Sequence, residues 1–432
     1  MHIYPANPRY FVRRGQPIIL VGGGEHYGAI LNLEFDIPRY LDALSQAGLN
    51  LTRVFSGSYV EAPGSFGIID NTLAPHPDAY VAPWVRDDQG RYDLARINPV
   101  WIQRLNAFVA AAAQRDIVVE FTLFCFWYDQ ADWERSPMHP TQSRQAVGPY
   151  ERARVYEADS ALLPYMRRLV QVAATELKKY DNVYIEICNE PYSRHDHTMD
   201  MAWHEQMIEA IVAVAPELPI AINVANRTQK LLYVPAHVSV VNFHYAIPSA
   251  ARENWHLGVI IGDDETGFRG NSARPYRSEA WSFLLAGGGI FSHLDYSFTV
   301  THPDGTAVTD PRTPGYGGVD LRAQMAFLRN TLERVAVWDM RPCNEIIAWY
   351  AGDSDIQLLA VPGERYIGYI PQNVPQQSLM LGIPAGRYTV EWLYPASCMT
   401  QTAATIDHRG GFVRIDTPWH ADDLGFVLAR VR

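Results

Sequence analysis

The chain has 432 residues, 48% of them apolar and 19% charged, which is the balance of an ordinary soluble globular protein. Its length suggests two or three domains. Lysine and arginine number 36 against 47 acidic residues, giving a formal net charge of −11. Since no cluster of basic residues could neutralise a phosphate backbone, we expect no nucleic-acid partner. No apolar run approaches the length of a membrane span, so we expect no membrane association.

The four cysteines form no CxxC pair and are too sparse for a disulfide scaffold. The first residues lack a charged segment followed by an apolar one, so they do not predict a secretory signal. These features indicate a cytoplasmic protein, unless a leader has been removed. No GxGxxG loop follows the first apolar run, and we expect no cofactor.

Eight short apolar runs follow one another along the first 300 residues. They are rich in β-branched residues and bounded by polar residues or glycine, as is typical of buried parallel strands. The runs cover residues 19–23, 51–55, 117–124, 182–189, 220–225, 238–245, 258–264 and 289–296.

Helical patterns lie between most of these runs. Asp36 is expected to cap a helix that Gly48 ends, and Asn98-Pro99 to begin another. The intervals after the fifth and sixth runs are short, so helices are least expected there. Alternation of strand and helix through eight units predicts a (β/α)₈ TIM barrel, an α/β fold. Further helices are indicated around Leu163–Leu177, Met207–Val214 and from Asp320 onwards.

The pattern changes near Cys343, after which short strand-like runs are separated by turn sequences such as PGER and PAGR. No helical period continues there, so an antiparallel β-sandwich is predicted. We therefore expect a barrel over residues 1–342 and a C-terminal β-sandwich domain over residues 343–432.

The carboxyl ends of the barrel strands should carry the chemistry, because the active-site loops of this fold lie there. Glu190 follows the fourth strand and Glu265 the seventh, so the two carboxylates should face each other across the barrel axis. Such a pair can cleave a glycosidic bond, one carboxyl donating a proton and the other attacking the anomeric carbon. Candidate substrate-binding residues at the other strand ends are Glu25, His26, Arg53, Trp127, Asn189, His244, Tyr245 and Asp295.

Several of these side chains have an expected role. Arg53 and the Tyr245 hydroxyl could keep Glu265 ionised through charge and hydrogen bonding. Asn189 could hydrogen-bond a sugar hydroxyl, while His244 is either a ligand contact or a structural group.

Three aromatic residues, Trp127, Tyr128 and Trp133, cluster after the third strand, where sugar stacking is favoured over a core position. Glu186 alternates onto the same face as Glu190 and is expected to form an interior ion pair.

The motifs resemble those of a known group of enzymes. NVYIEICNEP resembles the fourth strand of clan A glycoside hydrolases, where Asn-Glu-Pro ends the strand and the Glu is the acid/base. GLNLTRVF resembles the second strand, with Arg53 as its arginine, and VVNFHY the sixth. VIIGDDETG resembles the seventh, in which Glu-x-Gly carries the nucleophile. The opening segment, the helix LRAQMAFLRNTLE and the C-terminal AGRYTVEWLYP resemble bacterial barrels of the cellulase and apiosidase type, which carry a small C-terminal β-domain.

This resemblance implies a retaining O-glycoside hydrolase with Glu190 as acid/base and Glu265 as nucleophile, acting on an oligosaccharide or glycoside. The sequence departs from the family in its eighth strand, GIFSHLDYSF, which lacks the tryptophan that often floors the sugar site. Asp263 and Asp264 also crowd the nucleophile. By strand alternation Asp263 points the same way as Glu265, so it is the alternative nucleophile.

Two other classes of function compete with the hydrolase. A catalytically silent carbohydrate-binding barrel would keep the aromatic residues but lose one carboxylate. A metal-dependent hydrolase would need paired histidines at a strand end, where the first strand offers only His26. His195-Asp196-His197 is expected to lie in a solvated loop, so we expect no metal site.

Overall fold

The structure, a computed structural model, describes residues 1–192, 199–350, 355–372 and 377–431. The segment His195-Asp196-His197 lies outside these residues. Within the described part of the chain, no helix is both long and apolar enough to cross a membrane.

Eight parallel strands form the central sheet, as predicted for a TIM barrel. Each strand pairs with its neighbour in the chain, β8 pairs with β1, and a parallel bridge between Gly22 and Leu51 joins the first strand to the second. The strands are Leu20–Val21 (β1), Leu51–Phe55 (β2), Val118–Cys125 (β3), Val183–Asn189 (β4), Ile220–Asn226 (β5), Val238–His244 (β6), Ile260–Glu265 (β7) and Ile290–Phe291 (β8).

Two helices begin at the caps that the sequence predicted. The Asp36 carboxylate accepts a hydrogen bond from the Arg39 N–H at 3.1 Å, and the Asn98 side chain accepts one from Val100 at 3.0 Å. Gly48 takes the expected left-handed conformation, with φ +79°. The helices are Ile37–Gln46 (α1), Pro99–Ala113 (α2), Gln130–Arg135 (α3), Leu163–Leu177 (α4), Met201–Val212 (α5), Pro248–Asn254 (α6), Ala273–Leu285 (α7) and Val319–Arg334 (α8).

The connections differ most from strict alternation after β5 and β6. Residues 227–237 join β5 to β6 without a helix, and α6 is a single short helix. Conversely, the segment between β2 and α2 is long and contains a hairpin of strands Trp84–Arg86 and Tyr92–Ile97. The first short interval holds no helix and the second holds only the seven residues of α6, whereas the long segment extends over the mouth of the barrel.

A small N-terminal sheet closes the other end of the barrel. Its strands are His2–Ile3, Phe11–Arg13 and Gln16–Ile18. Phe11 packs among residues near the amino ends of the barrel strands, including Leu51 and Val240. The barrel is therefore open only at the carboxyl ends of its strands.

Two antiparallel sheets follow the barrel, as predicted, with an apolar cluster of their own. One sheet has the strand order β9-β11-β12-β17-β14-β15 and the other β10-β13-β16. The sequence did not predict β15, because most of its side chains are exposed and show no alternation. The strands are Arg341–Pro342 (β9), Ile347–Tyr350 (β10), Gln357–Val361 (β11), Arg365–Ile370 (β12), Ser378–Ile383 (β13), Gly386–Tyr394 (β14), Met399–His408 (β15), Gly411–Asp416 (β16) and Leu424–Arg430 (β17).

The C-terminal sheets pack against the barrel through α7. Trp281 stacks on Tyr369 with ring centroids 5.4 Å apart, and the buried Arg277 guanidinium forms an ion pair with Asp423 at 2.5 Å. Because this ion pair is buried, removing one partner would leave an uncompensated charge at the contact.

Candidate active site

The carboxyl ends of the barrel strands enclose a cleft of about 450 Å³ whose lining includes Glu190 and Glu265. Glu190 follows β4 with φ +45°, a conformation rare for glutamate, and its N–H donates to the Asn223 side chain at 3.2 Å. Glu265 ends β7. A carboxylate oxygen of each lies within 4.8 Å of the other and of a ring nitrogen of His244. The two carboxylates therefore meet across the axis, as their strand positions predict.

Glu265 is held by a cation and a hydroxyl. The Arg53 Nη1 donates to Glu265 Oε2 at 3.0 Å, and the Tyr245 hydroxyl donates to Oε1 at 3.2 Å. The Arg53 Nη2 also donates to Asn189 Oδ1 at 2.8 Å. Both contacts expected to stabilise an ionised Glu265 are present, one from Arg53, which is only 1% exposed, and one from Tyr245.

Three further carboxyls, Glu120, Glu186 and Asp264, lie beneath the cleft, fully buried around the Asn242 amide. The amide Nδ2 donates to Glu120 at 2.6 Å and to the other two at 3.0 Å. Arg53 forms an ion pair with Glu186, as the sequence predicted, and its Nε lies 3.2 Å from Asp264.

These buried carboxyls differ in protonation. Burial and the charge of Glu186 raise the pKa of Glu120 to about 7. Burial raises the pKa of Asp264 well above its ordinary value. Burial also acts to raise the pKa of Glu186, but the charge of Arg53 outweighs it and lowers that pKa. Glu186 therefore carries the negative charge that balances Arg53, while Asp264 retains a proton.

His244 links the two sides of the cleft. Its Nδ1 lies 2.9 Å from Glu190 Oε1 and 3.6 Å from Glu265 Oε1, and its Nε2 lies 3.4 Å from Asp264. Burial acts to lower the pKa of His244, but the charges of Glu265 and Glu190 raise it. Burial acts to raise the pKa of Glu190, yet the hydrogen bond and charge of His244 lower it. The two groups therefore titrate as a pair, with one proton between them.

Residues 33–281 match the family model described as cellulase, glycosyl hydrolase family 5. The chain belongs to glycoside hydrolase family 5. This confirms the predicted clan A resemblance and the class of enzyme. No curated protein matches the chain significantly in sequence.

Solved structures share the fold at low sequence identity. A glycoside hydrolase family 5 protein from Bacteroides vulgatus is 13% identical, with a TM-score of 0.65 over 99% of this chain and 93% of that one. An endo-1,4-beta-mannanase from Rhizomucor miehei is 12% identical, with a TM-score of 0.56 over 77% and 100%. A family 5 mannosidase from the same organism is 14% identical, with a TM-score of 0.50 over 77% and 98%. The first of these matches covers the barrel and the C-terminal sheets together.

Glu25 and Asp295, both predicted to bind substrate in this family 5 enzyme, do not line the cleft and are held by other contacts. The buried Glu25 accepts hydrogen bonds from the backbone N–H groups of Gly28 at 2.9 Å and Ala29 at 3.0 Å, so it fixes the loop after β1. Asp295 forms a buried ion pair with Arg322 at 2.6 Å. Both residues were predicted to bind substrate because they lie near strand ends. Their carboxylates are instead engaged by neighbouring groups of the protein.

The aromatic cluster after β3 divides between core and cleft. Trp127 is fully buried, with its ring 4.5 Å from that of Trp133, and does not line the cleft. Tyr128 does line it, and its hydroxyl accepts a hydrogen bond from Asn189 at 3.0 Å. The prediction of sugar stacking by Trp127 therefore does not fit its position, whereas Tyr128 is available to a ligand.

The predicted orientation of Asp263 is wrong because β7 contains a bulge. Asp263 pairs with Phe243, but the next pair joins Glu265 to His244, so Asp264 is skipped. Asp264 and Glu265 consequently both face the barrel interior, and Asp263 interacts with Glu279 of α7 instead. Burial and the charge of Glu279 raise the pKa of Asp263 well above its ordinary value. Asp263 does not reach the cleft.

The remaining predicted residues divide between the cleft and its support. His26, Asn189 and Tyr245 line the cleft, whereas Arg53 and His244 lie fully buried behind it.

Sequence reasoning missed Glu61 and Phe66, which come from the segment between β2 and α2, and Phe268, which follows β7; all three line the cleft. The length of the segment between β2 and α2 was the available signal, since long loops at this end of a barrel are usually functional.

Two groups of side chains offer ligands of the kind that bind cations. One consists of Glu190, His244 and Glu265, and the other of the three carboxyls beneath the cleft. In the first group, Glu265 already accepts hydrogen bonds from Arg53 and Tyr245. A permanent positive charge 3.0 Å from this carboxylate opposes a second cation, so the arrangement suits hydrogen bonding better than metal binding.

Proposed function

We propose that this family 5 enzyme is a retaining O-glycoside hydrolase that works by double displacement, with Glu265 as nucleophile and Glu190 as acid/base. The carrying observation is that carboxylate oxygens of the two residues lie within 4.8 Å of each other. Retaining enzymes hold these carboxyl groups about 5 to 5.5 Å apart, whereas inverting enzymes need roughly 6.5 to 9.5 Å to admit a water molecule.

The hydrogen bonds support this assignment of roles. Glu265 accepts from a guanidinium and a tyrosine hydroxyl, and both favour the ionised carboxylate that a nucleophile needs. Glu190 lies against His244 and shares a proton with it. That pair can deliver the proton to the glycosidic oxygen.

In the first step an oxygen of Glu265 bonds to the anomeric carbon, the glycosidic C–O bond breaks, and Glu190 passes its proton to the leaving oxygen. Forming the ester removes the negative charge that lies 3.6 Å from His244 Nδ1. The Glu190–His244 pair has by then given up its proton, and without the charge of Glu265 it attracts another less strongly, so Glu190 stays ionised and can act as base. In the second step water attacks the anomeric carbon, Glu190 accepts its proton, and the bond to Glu265 breaks.

The first experiment is a panel of nitrophenyl glycosides in both anomers, which identifies the sugar and separates an enzyme from a binding protein. Glu265→Ala should then abolish turnover of every substrate. Azide should restore a reaction by occupying the vacated space, and its product should have inverted configuration.

Glu190→Ala should behave differently, because activated aryl leaving groups need little protonation. It should still release nitrophenol while losing activity on sugar leaving groups, and azide should give a product of retained configuration. Glu205→Ala, at an exposed position on α5, is the matched control and should be fully active. If both active-site variants lose aryl and sugar substrates alike and azide rescues neither, double displacement at this site is refuted.

A further inference from the structure

Four aromatic side chains run in contact across the mouth of the cleft. Phe66 lies 5.0 Å from Tyr128 and 6.2 Å from Phe268, measured between ring centroids, and Phe268 lies 6.4 Å from Tyr296. All three contacts are edge-to-face, which is a favourable geometry for aromatic pairs. We call these four residues the aromatic wall.

The wall joins loops that follow two strands, β2 and β7, which are separated in the barrel by β1 and β8. Phe66 belongs to the segment that follows β2, whereas Phe268 follows β7. The two residues are 42% and 40% exposed, so each leaves apolar surface in water at the cleft mouth. Together with Tyr128 after β3 and Tyr296 after β8, they line the part of the mouth near β1, β2 and β8. The strands β4, β5 and β6 form the other part of the mouth.

The proposed chemistry fixes which part of the substrate meets the wall. Glu190 follows β4 and must reach the glycosidic oxygen, so the leaving group lies on the β4 side. In a pyranose, the far end of the ring points away from the anomeric carbon and its leaving group. The far end of the sugar under attack therefore points towards β1 and β2, where the wall stands.

Behind the wall, the cleft presents a buried carboxylate and an imidazole. The Glu61 side chain is 3% exposed and is held by the Tyr59 hydroxyl at 3.0 Å and the Asn71 amide at 2.5 Å. His26 Nε2 lies 3.4 Å from Glu61 Oε2, and both residues line the cleft. Within the described part of the chain, the buried Nδ1 of His26 has no hydrogen-bond partner. A carboxylate that accepts beside an imidazole with an open nitrogen suits neighbouring hydroxyls of one sugar.

We propose that this enzyme is exo-acting and removes single sugars from the non-reducing end of its substrate. Glu61 and His26 bind hydroxyls at the far end of that sugar. Phe66 and Phe268 block a chain that extends beyond it. This inference rests on the proposed function and adds the class of substrate. A chain extended beyond the terminal sugar would have to pass through the Phe66–Phe268 contact.

The test compares a 4-nitrophenyl monoglycoside with the matching diglycoside, using the sugar and anomer that the panel identifies. From the diglycoside, the monosaccharide should appear first, and nitrophenol only after a lag. Immediate release of nitrophenol together with intact disaccharide would overturn exo action. The stereochemistry of the product and the azide rescue test the roles of Glu190 and Glu265, whereas the length of the first product tests exo action. A failure of the proposed mechanism can therefore be distinguished from a failure of the exo proposal.

The double variant F66A/F268A tests the wall directly. Opening the contact should raise the ratio of disaccharide to monosaccharide among the first products at least about tenfold. F412A removes an exposed phenyl ring from β16 of the C-terminal sheets, where it does not line the cleft, and should leave that ratio unchanged. An unchanged ratio in the double variant, with a melting temperature like that of the parent, would show that the wall does not limit chain length.

The Glu61→Gln variant tests the hydroxyl site. Replacing a charged acceptor should lower kcat/KM for the monoglycoside by about 10- to 100-fold. The loss should shrink on one of the 3-, 4- or 6-deoxy substrates, because the contact is already missing there. An equal loss on all three deoxy substrates would indicate structural damage and refute binding of a hydroxyl by Glu61.

Discussion

Replacing Glu120 by glutamine should change how the stability of the enzyme depends on pH. Glu120 lies on β3 beneath the cleft, and burial together with the charge of Glu186 raises its pKa to about 7 from an ordinary 4.5. Between these values the folded chain keeps a proton at Glu120 that the unfolded chain has released. The contribution of this group to the free energy of unfolding is therefore fully present below about pH 4.5 and is lost as the pH rises to about 7.

The magnitude follows from the same two values. At about 1.4 kcal/mol for each pH unit, a rise from 4.5 to about 7 corresponds to roughly 3 kcal/mol. Glutamine cannot titrate, but it fits the site: its carbonyl can accept from Asn242, and its amide can donate to the Tyr184 oxygen, which rotates its own hydrogen away. Relative to the parent, the variant should gain about 3 kcal/mol between pH 4.5 and pH 8.

Urea unfolding followed by tryptophan fluorescence, at pH 4.5 and at pH 8, measures this difference. Glu205→Gln, which alters an exposed carboxyl on α5, is the matched control and should track the parent at both pH values. The quantity to compare is the free energy of unfolding of Glu120→Gln minus that of the parent. If this difference is equal at both pH values, or falls as the pH rises, the reasoning is refuted.

Four further predictions concern the cleft. Arg53→Met should destabilise the fold by roughly 3 to 5 kcal/mol, because it leaves buried carboxylates without their countercharge. In the fraction that folds, it should move the acidic limb of the pH–rate profile upward; an unchanged profile with full activity would place Arg53 outside the site. Tyr245→Phe should lower kcat/KM about tenfold by removing one hydrogen bond from Glu265, and kinetics equal to the parent's would contradict that role. Asp263→Asn should keep nearly full activity. If this variant folds like the parent but is inactive, Asp263 is again a candidate nucleophile. Dialysis against a chelator should leave the rate unchanged, and stoichiometric zinc in elemental analysis of pure protein would instead support a metal-dependent hydrolase.

Much of the barrel was readable from the sequence, because its signals are local. Apolar runs and helical periods each span a few turns of chain, and caps such as Asp36 and Asn98 act on the next residues along. The positions of Arg53, Glu190 and Glu265 followed from the same information, since a residue that ends a barrel strand must lie at the rim. Their mutual contacts then follow from the closure of the barrel.

What only the tertiary structure decided involves residues far apart in the chain. The bulge in β7, which puts Glu265 on the face opposite to Asp263, arises in the pairing of β7 with β6 and cannot be read from the sequence of β7 alone. Glu25 is drawn away from the cleft by the backbone of its own loop, and Phe66 meets Phe268 only because two loops approach across the barrel mouth. Sequence patterns record which face a residue prefers, whereas a contact between distant segments depends on how the backbone closes. For that reason the sequence located the proposed catalytic pair, and the folded chain determined the shape of the cleft around it.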